Sequence, residues 1–292
     1  MGQHRNTFAA GLAAAALTLS ACGSGSGGGA KVADNPTFEA GTTMATIAAA
    51  GKMKVGTKFD QPGFGLKGLD GQLAGFDVEV AKIIAGALGV KPESIEWVES
   101  PSKVREERIE KGEVDLVAAT YTINDKRKER ITFAGPYYVA GQQLMVKSDN
   151  TKIKAPEDLK ANADQKVCSV TGSTPSEQIK PFLASEAQLV LFDVYNKCAD
   201  ALRTGQVQVV TTDNVILLGF VSKSDKAFKL VGEQFTKEPY GIGIKKGDVK
   251  FCEFINKTLK DNEAAYNKAW ADTAGKVEGA SAAKLPEAAA CS

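Results

Sequence analysis

Residues 114–138 read VDLVAATYTINDKRKERITFAGPYY. The segment starts as an apolar run with a Thr-Tyr-Thr step, continues through a polar turn and a basic stretch that contains Arg127, and returns to an apolar, aromatic end. Thr120 and Thr122 are two positions apart, so on a strand their side chains would point to the same side. Arginine offers a planar fork of donors that matches a carboxylate. The segment predicts a strand that brings hydroxyls and a guanidinium to a small carboxylate ligand; the alternative is an edge strand followed by solvated charges.

The composition is that of a globular protein. The chain has 292 residues, of which 43% are hydrophobic and 24% charged, enough for one large domain or two lobes with separate cores. The formal net charge is +1, and the densest basic cluster, at 126–130, is interleaved with acidic residues. Nucleic acid is therefore not an expected partner.

The N-terminus has the form of an export signal. Residues 1–21 carry one arginine and then an apolar stretch that is too short for a permanent membrane span. The sequence Leu19-Ser20-Ala21-Cys22 resembles the lipobox of bacterial lipoproteins, in which cleavage leaves a lipidated Cys22; the alternative is a plain secretory peptide with an incidental cysteine. Residues 22–36, rich in Gly and Ser, then form a flexible tether. The only histidine, His4, would be removed, which leaves no imidazole for acid–base chemistry or metal binding.

Four cysteines follow Cys22 in a chain predicted to be exported. They are Cys168, Cys198, Cys252 and Cys291. An even number in an oxidising compartment predicts two disulfides, for which three connectivities are possible. No pair has the short spacing of a zinc or redox site. We therefore expect neither a metal nor another cofactor.

Strands and helices alternate along the chain in two sets. The first set has predicted strands at 53–57, 95–98 and 114–119 with helices at 75–89 and 103–111. The second has strands at 166–170, 189–192 and 207–211 with helices at 176–183 and 196–203, after a strand at 142–147. Each βαβαβ unit predicts a parallel sheet covered by helices, so the chain is predicted to form two α/β lobes.

Several polar residues follow these predicted strands, where open α/β sheets bind ligands. The loop after residue 57 contains Lys58 and Phe64, which would supply a cation and an apolar wall unless this is an ordinary surface loop. In the turn TGSTP, Ser173 and Thr174 open a helix and would bind an anion, or else only cap that helix. A P-loop lysine is missing, so nucleotide phosphate is not expected. Asp213 ends a strand, where a carboxylate is well placed for a ligand ammonium.

Four motifs give the chain a family resemblance. They are GFDVEVAKIIA at 75–85, GEVDLVAATYTINDKRKERITFAGPYY at 112–138, VTGSTPSE at 170–177 and EPYGIGIKKGD at 238–248. In this order, behind a lipobox, they resemble the bacterial extracellular solute-binding proteins of polar amino acid ABC transporters. The resemblance implies a bilobal clam-shell of the periplasmic-binding-protein type (type II), in which two α/β lobes are joined by two hinge crossings.

The resemblance also implies a division of the chain. The first lobe would join residues 37–140 with residues 241–292, and the second lobe would comprise residues 141–240. Under this division Cys168 pairs with Cys198 and Cys252 with Cys291, because each pair then lies in one lobe.

Ligand-binding roles are implied residue by residue. Arg127, with Thr122 beside it, matches the clamp for the ligand α-carboxylate, and Thr120 matches a position that meets the ammonium. Ser173 and Thr174 match the second-lobe turn that contacts the same carboxylate, and Asp213 matches the ammonium acceptor. The positions that face the ligand side chain in acidic amino acid binders are matched by Lys58, Ser102 and Arg105.

The expected ligand follows from charge. If Asp213 is the only definite anion near Lys58, Arg105 and Arg127, the cleft has an excess of about two positive charges, which glutamate or aspartate nearly neutralises. A neutral side chain would leave a buried cation unpaired at a cost of roughly 1–3 kcal/mol. Arg105 has the alternative role of a structural salt bridge.

The expected function is therefore that of a substrate-binding component of an ABC importer. It would capture glutamate, or next aspartate, by lobe closure and deliver it to a membrane permease. The protein is expected to be monomeric and anchored by its lipid to the outer face of the cytoplasmic membrane. The alternatives are a binder of a neutral amino acid such as glutamine, and a lyase or dehydratase on the same fold. An enzyme is not expected, because the mature chain has no histidine and its cysteines pair.

Overall fold

We describe a computed structural model of the chain over residues 1–2 and 31–292. The expected signal peptide, Cys22 and most of the tether lie outside the described residues. In the part of the chain that is described, no helix is long and apolar enough to cross a membrane.

The described chain alternates between strands and helices, joined in places by short 3-10 turns. The strands are β1 (Met53–Thr57), β2 (Asp60–Gln61), β3 (Gly65–Lys67), β4 (Leu73–Ala74), β5 (Ile95–Glu99), β6 (Leu116–Val117), β7 (Thr132–Ala140), β8 (Gln142–Lys147), β9 (Val167–Val170), β10 (Leu189–Phe192), β11 (Val209–Asp213), β12 (Phe228–Val231) and β13 (Glu238–Ile244). The helices are α1 (Thr43–Ala50), α2 (Phe76–Ala87), α3 (Arg105–Glu110), α4 (Asp125–Lys128), α5 (Asp158–Ala161), α6 (Thr174–Gln178), α7 (Tyr195–Thr204), α8 (Asn214–Ser222), α9 (Val249–Asp261) and α10 (Glu263–Asp272).

Two five-stranded sheets form the framework. The first has the order β5-β1-β6-β13-β7 and the second the order β10-β9-β11-β8-β12. The strands of each βαβαβ unit are parallel, as predicted. One further strand in each sheet, β13 or β8, runs antiparallel to them, and the edge strand beside it, β7 or β12, pairs antiparallel with that strand. The chain passes from the first sheet to the second at Gly141 and returns between Val231 and Glu238. The molecule is thus bilobal, with one sheet in each lobe.

The longest strand of the first sheet was missed by the sequence prediction. Strand β7 contains Gly135 and Pro136, and both residue types disfavour strands. The proline is tolerated because β7 is an edge strand, so its missing N–H leaves no gap in the hydrogen bonds between inner strands.

A third, small sheet lies where the sequence predicted only a loop. Strands β2, β3 and β4 pair antiparallel, and Asp60 lies opposite Leu66. The segment is held in the first lobe by Phe64, whose ring centroid is 6.1 Å from that of Phe76 and 6.2 Å from that of Trp270. This small sheet begins directly after β1 and therefore lies beside the cleft.

Each lobe contains one disulfide bond. Cys168 in β9 is bonded to Cys198 in α7, and Cys252 in α9 is bonded to Cys291 in the C-terminal tail. These are the pairings that the resemblance implies. The second bond holds the tail against the first sheet, where the amide of Ala289 donates to the carbonyl of Gly135 at 2.8 Å.

Candidate functional site

The site is built at the carboxyl ends of the parallel strands of both sheets. These ends lie at one edge of each sheet, so the residues that follow the strands converge there. The converging side chains are all buried, with exposed fractions of 7% or less: Lys58, Ser102, Arg105, Thr120, Thr122, Arg127, Ser173 and Asp213. The structure thus brings together most of the residues that the sequence predicts for a ligand site.

Arg127 connects the two lobes. Asn124 caps the short helix α4: its side-chain oxygen accepts a hydrogen bond from the backbone amide of Arg127 at 2.9 Å. This contact fixes the backbone position from which the Arg127 side chain extends. The guanidinium donates to the carbonyl of Thr122 at 2.7 Å and to the carbonyl of Gly172, in the second lobe, at 3.1 Å. Its Nε lies 3.2 Å from the Glu106 carboxylate. Burial, followed by repulsion from Arg105, lowers the pKa of Arg127 to about 10.

Arg105 is held against an aromatic ring. Its guanidinium lies 3.9 Å from the ring centroid of Tyr121, and that of Arg127 lies 5.0 Å from the same ring. Its Nη1 donates to the carbonyl of Ala119 at 2.8 Å. The Nε is buried and has no acceptor among the residues that the structure describes. Two neighbouring guanidinium groups therefore make cation–π contacts with the Tyr121 ring. The Nε–H of Arg105 remains available as a donor.

Lys58 is a buried cation beside Arg105. Its ammonium donates to the Ser102 hydroxyl at 2.9 Å, and the side chain is 3% exposed. Burial is the main cause, and repulsion from Arg105 the next, of a pKa lowered to about 7. Close to neutral pH, Lys58 is poised between its charged and neutral forms.

Asp213 is a buried carboxyl group at the end of β11. One oxygen accepts the hydroxyl of Tyr240 at 2.6 Å, and the other has no donor in the described part of the chain. Burial and then the nearby Glu238 raise the pKa of Asp213 to about 7. A ligand cation would stabilise the ionised form.

The strand geometry expected for the two threonines is wrong. Strand β6 ends at Val117, and Thr120 has a left-handed φ of 45°. Its amide donates to the buried carboxylate of Asp77 at 2.8 Å, and its hydroxyl to Gln61 at 3.0 Å. Asp77 lies in the first turn of α2. The threonines are brought to the site by this turn, because the Asp77 carboxylate holds a backbone conformation that threonine rarely adopts.

The turn TGSTP of the second lobe is stabilised by hydrogen bonds that its own residues make. The hydroxyl of Ser173 accepts the amide of Ser176 at 3.1 Å and donates to the carbonyl of Val170 at 2.7 Å. The Thr174 hydroxyl donates to Glu238 at 2.8 Å. Ser173 therefore caps helix α6, as the alternative interpretation of this turn predicted. Gly172, which directly precedes Ser173 and Thr174, accepts a hydrogen bond from Arg127, so the turn lies close to that guanidinium.

Phe64 is the predicted site residue that the structure does not bring into this polar cluster. It is 1% exposed and packs in the aromatic core of the first lobe, with its ring centroid 6.1 Å from that of Tyr240. Its neighbours there are aromatic rings, because the small sheet turns the side chain inward.

The premise that Asp213 is the only anion of the cleft is wrong. Four more buried carboxyl groups surround the three cations, and no local pattern of residues predicted their burial: Asp60, Asp77, Glu106 and Glu238. Each is bound to donors. Glu106 pairs with Arg127, and Glu238 accepts hydroxyls from Thr174 and Thr236. Among these charged groups, Asp213 has a buried oxygen without a donor and Arg105 has a buried Nε without an acceptor in the described part of the chain.

The arrangement has the chemistry that a small zwitterion needs, because Asp213, an acceptor for a cation, lies near the guanidinium groups of Arg127 and Arg105, which are donors for carboxylates. No group of His, Cys, Asp or Glu arranged to hold a metal ion occurs in the residues described. Two α/β lobes around such a cleft characterise a solute-binding protein.

The chain belongs to the bacterial extracellular solute-binding proteins, family 3, whose profile matches residues 53–270. It is 40% identical over 257 residues to the glutamate-binding protein GluB of Corynebacterium glutamicum, covering 85% of this chain and 82% of that one. It is 38% identical over 248 residues to the ABC transporter glutamine-binding protein GlnH of Bacillus subtilis, covering 84% and 87%. A solved ancestral arginine-binding protein bound to glutamine superposes with a TM-score of 0.70 at 37% identity, over 77% of this chain and 99% of that one.

Proposed function

We propose that the chain is the extracytoplasmic substrate-binding subunit of an ABC importer, and that it captures an acidic amino acid, glutamate in preference to aspartate. The similarity to glutamate-binding proteins supports this proposal. So does the polarity of the cleft, where Arg127 would bind the α-carboxylate and Asp213 the ammonium. The protein acts by binding and not by catalysis.

Arg127 retains donors for the ligand. Each Nη atom of a guanidinium carries two N–H groups, and the contacts to Thr122 and Gly172 use one on each. The remaining pair would match the two oxygens of an α-carboxylate. Thr122 and the second-lobe residues Ser173 and Thr174 would complete this end of the site, and the open oxygen of Asp213 would accept the ammonium, with Thr120 beside it.

The observation that favours an acidic side chain on the ligand is that two buried cations, Lys58 and Arg105, lie next to each other. Arg105 has a buried donor without an acceptor, and Lys58 is held close to neutrality by burial and by Arg105. A side-chain carboxylate would accept from both and would restore the charge of Lys58. The amide of glutamine would satisfy Arg105 through its oxygen, but it would leave Lys58 uncompensated.

The remaining features of the function follow from the N-terminus and the two-lobed fold. We propose export, lipidation of Cys22 and a monomer that delivers its ligand to a membrane permease. We also propose lobes of residues 37–140 with 241–292 and of residues 141–240; the location of each disulfide within one of these units supports the division. Substitution Cys22→Ser should move the protein from the membrane fraction to the medium.

Calorimetry of the mature domain against glutamate, aspartate, glutamine and arginine tests the ligand. We expect glutamate to bind at least about tenfold more tightly than glutamine, and arginine not to bind. Equal affinity for glutamine and glutamate would refute the acidic preference and favour the neutral alternative. Turnover of a cyclohexadienyl substrate would instead reveal a dehydratase.

A further inference from the structure

One contact between the lobes joins a side chain of the small sheet to a helix of the second lobe. The Asp60 carboxylate accepts the amide of Tyr195 at 2.7 Å and the amide of Asn196 at 3.2 Å. Asp60 is 7% exposed. These amides belong to the first turn of α7, so a carboxylate of one lobe caps a helix of the other.

Helix α7 lacks a cap of its own. Its N-cap residue is Val194, which has no side-chain acceptor. The first amides of a helix have no partner within the helix, and the helix dipole makes this end attractive to an anion. Asp60 supplies both the acceptor and the charge, but only when the two lobes are together. Separating the lobes would expose these amides and the carboxylate to water.

A second close approach accompanies the first. Gly219, in α8 of the second lobe, faces Pro62 so closely that a Cβ atom at Gly219 would lie 2.4 Å from the carbonyl oxygen of Pro62. Asp60 and Pro62 are two residues apart in the segment that Phe64 anchors in the core of the first lobe. Two helices of the second lobe thus rest on one rigid segment of the first.

We propose that Asp60 is a closure residue, which stabilises the closed arrangement of the lobes by capping α7 and thereby sets the affinity for every amino acid ligand alike. Its role is one of positioning. A ligand that requires the closed state binds with an apparent Kd equal to its intrinsic Kd divided by the closed fraction. Loss of the cap lowers that fraction irrespective of the ligand side chain. The Asp60 carboxylate also favours the charged form of Lys58, so selectivity is compared in proteins that carry Lys58→Met, where it should be unaffected.

The test compares two carboxylates at the same end of α7. Asp60→Asn removes the charge that spans the lobes. Asp193→Asn is the matched control, because Asp193 is exposed, lies just before α7 and pairs with Lys197 of that helix at 2.8 Å. With Lys58→Met present in both variants, we expect Asp60→Asn to raise the Kd for glutamate and for glutamine by the same factor, about tenfold, since hydrogen bonds to a charged acceptor are being weakened. The control should stay within about twofold of wild type.

The affinity measurement rests on the proposed binding function, but a second measurement does not. Amide hydrogen exchange of the ligand-free protein, followed by NMR, reports the Tyr195 amide directly. We expect exchange at this amide to be about tenfold faster in Asp60→Asn than in wild type and unchanged in Asp193→Asn. If no amino acid binds, the proposed function fails while the exchange result still decides the contact.

Two outcomes would overturn the proposal. One is a changed ratio of glutamate to glutamine affinity when Asp60→Asn is introduced beside Lys58→Met, which would mean that Asp60 itself acts on the ligand side chain. The other is unaltered exchange at Tyr195. If Asp60→Asn fails to fold, Gly219→Ala provides the same test, since alanine favours a helix but its Cβ would keep α8 away from Pro62. We expect an equal loss of affinity for both ligands without a lower melting temperature, and unchanged affinities would contradict closure at this contact.

Discussion

The hydroxyl of Tyr240 donates a 2.6 Å hydrogen bond to the carboxylate of Asp213. Tyr240 lies on β13 of the first sheet and Asp213 at the end of β11 in the second, so this bond spans the two sheets beside the passage that returns the chain. The proposed acceptor of the ligand ammonium is therefore oriented by a side chain of the first sheet. Both groups are buried, which makes the protonation of Asp213 sensitive to this one hydroxyl.

Tyr240→Phe should shift the pH dependence of binding. Asp213 has a pKa of about 7, and the ligand ammonium needs its ionised form, so the contribution of Asp213 to affinity should rise with pH up to about 7 and then level off. The Tyr240 hydrogen bond lowers the pKa of Asp213, so its removal moves the plateau to higher pH. We expect glutamate affinity to fall about three- to tenfold at pH 6.5 and little at pH 8.5, measured by calorimetry.

The control for this variant is Tyr266→Phe. Tyr266 is also buried, and its hydroxyl donates to the carbonyl of Tyr137 at 2.6 Å in the core of the first lobe. It should lower stability without moving the pH midpoint of binding. An unchanged midpoint in Tyr240→Phe would show that this hydroxyl does not govern Asp213.

Lys58 should make glutamate binding take up a proton. With a pKa of about 7 it is mostly neutral above that pH, and a ligand carboxylate raises the pKa of a neighbouring amine. Glutamate affinity should therefore decline from pH 7 to pH 9 relative to glutamine affinity, by up to about tenfold per pH unit. Calorimetry in buffers of different ionisation enthalpy measures the proton count. In Lys58→Met the two ligands should follow the same pH curve; parallel curves in the wild type would argue against a side-chain role for Lys58.

Arg127→Lys should abolish amino acid binding. A lysine provides a point charge without the fork that spans Thr122, Gly172 and a carboxylate. We expect at least about a hundredfold loss of affinity for every amino acid, as for a lost charged hydrogen-bond pair. Arg130→Lys is the control, because the exposed Arg130 bonds Glu110 at 2.7 Å outside the cleft. Retention of glutamate binding by Arg127→Lys would remove Arg127 from the carboxylate site.

The disulfide between Cys252 and Cys291 should hold the C-terminal tail. It closes a loop with a sequence separation of 39. Replacing both cysteines with alanine should cost about 4 kcal/mol in the free energy of unfolding, measured with guanidinium chloride. It should also speed exchange of the Ala289 amide, which donates to Gly135. Removing the Cys168–Cys198 bond is the control, because it should cost a similar free energy of unfolding but leave the Ala289 amide protected. If the Ala289 amide still exchanges slowly without the Cys252–Cys291 bond, packing alone holds the tail.

The local order of the chain was predictable from its residues. The bounds predicted for β1, β8 and β10 are those observed, because runs of β-branched and apolar residues between polar turns are local signals. Helix boundaries were less accurate. The helix expected at 176–183 ends at Gln178 and resumes as a short turn at Lys180–Phe182, since Pro181 interrupts it. Arg127 and Asp213 were identified because each follows a strand or turn with a recognisable motif.

The protonation states and the charge balance of the cleft could be determined only from the tertiary structure. Asp60 and Tyr195 are 135 positions apart, and Glu238 meets Thr174 across 64. Burial of such carboxylates depends on donors that other segments contribute, so no local pattern separates them from surface acids. The left-handed Thr120 likewise depends on Asp77, which is 43 positions away. The sequence alone determined two α/β lobes and where their strand ends would carry polar groups; the packing of the lobes decided which of those groups are charged, satisfied or free to bind, because only burial and partners set the energy of a charge.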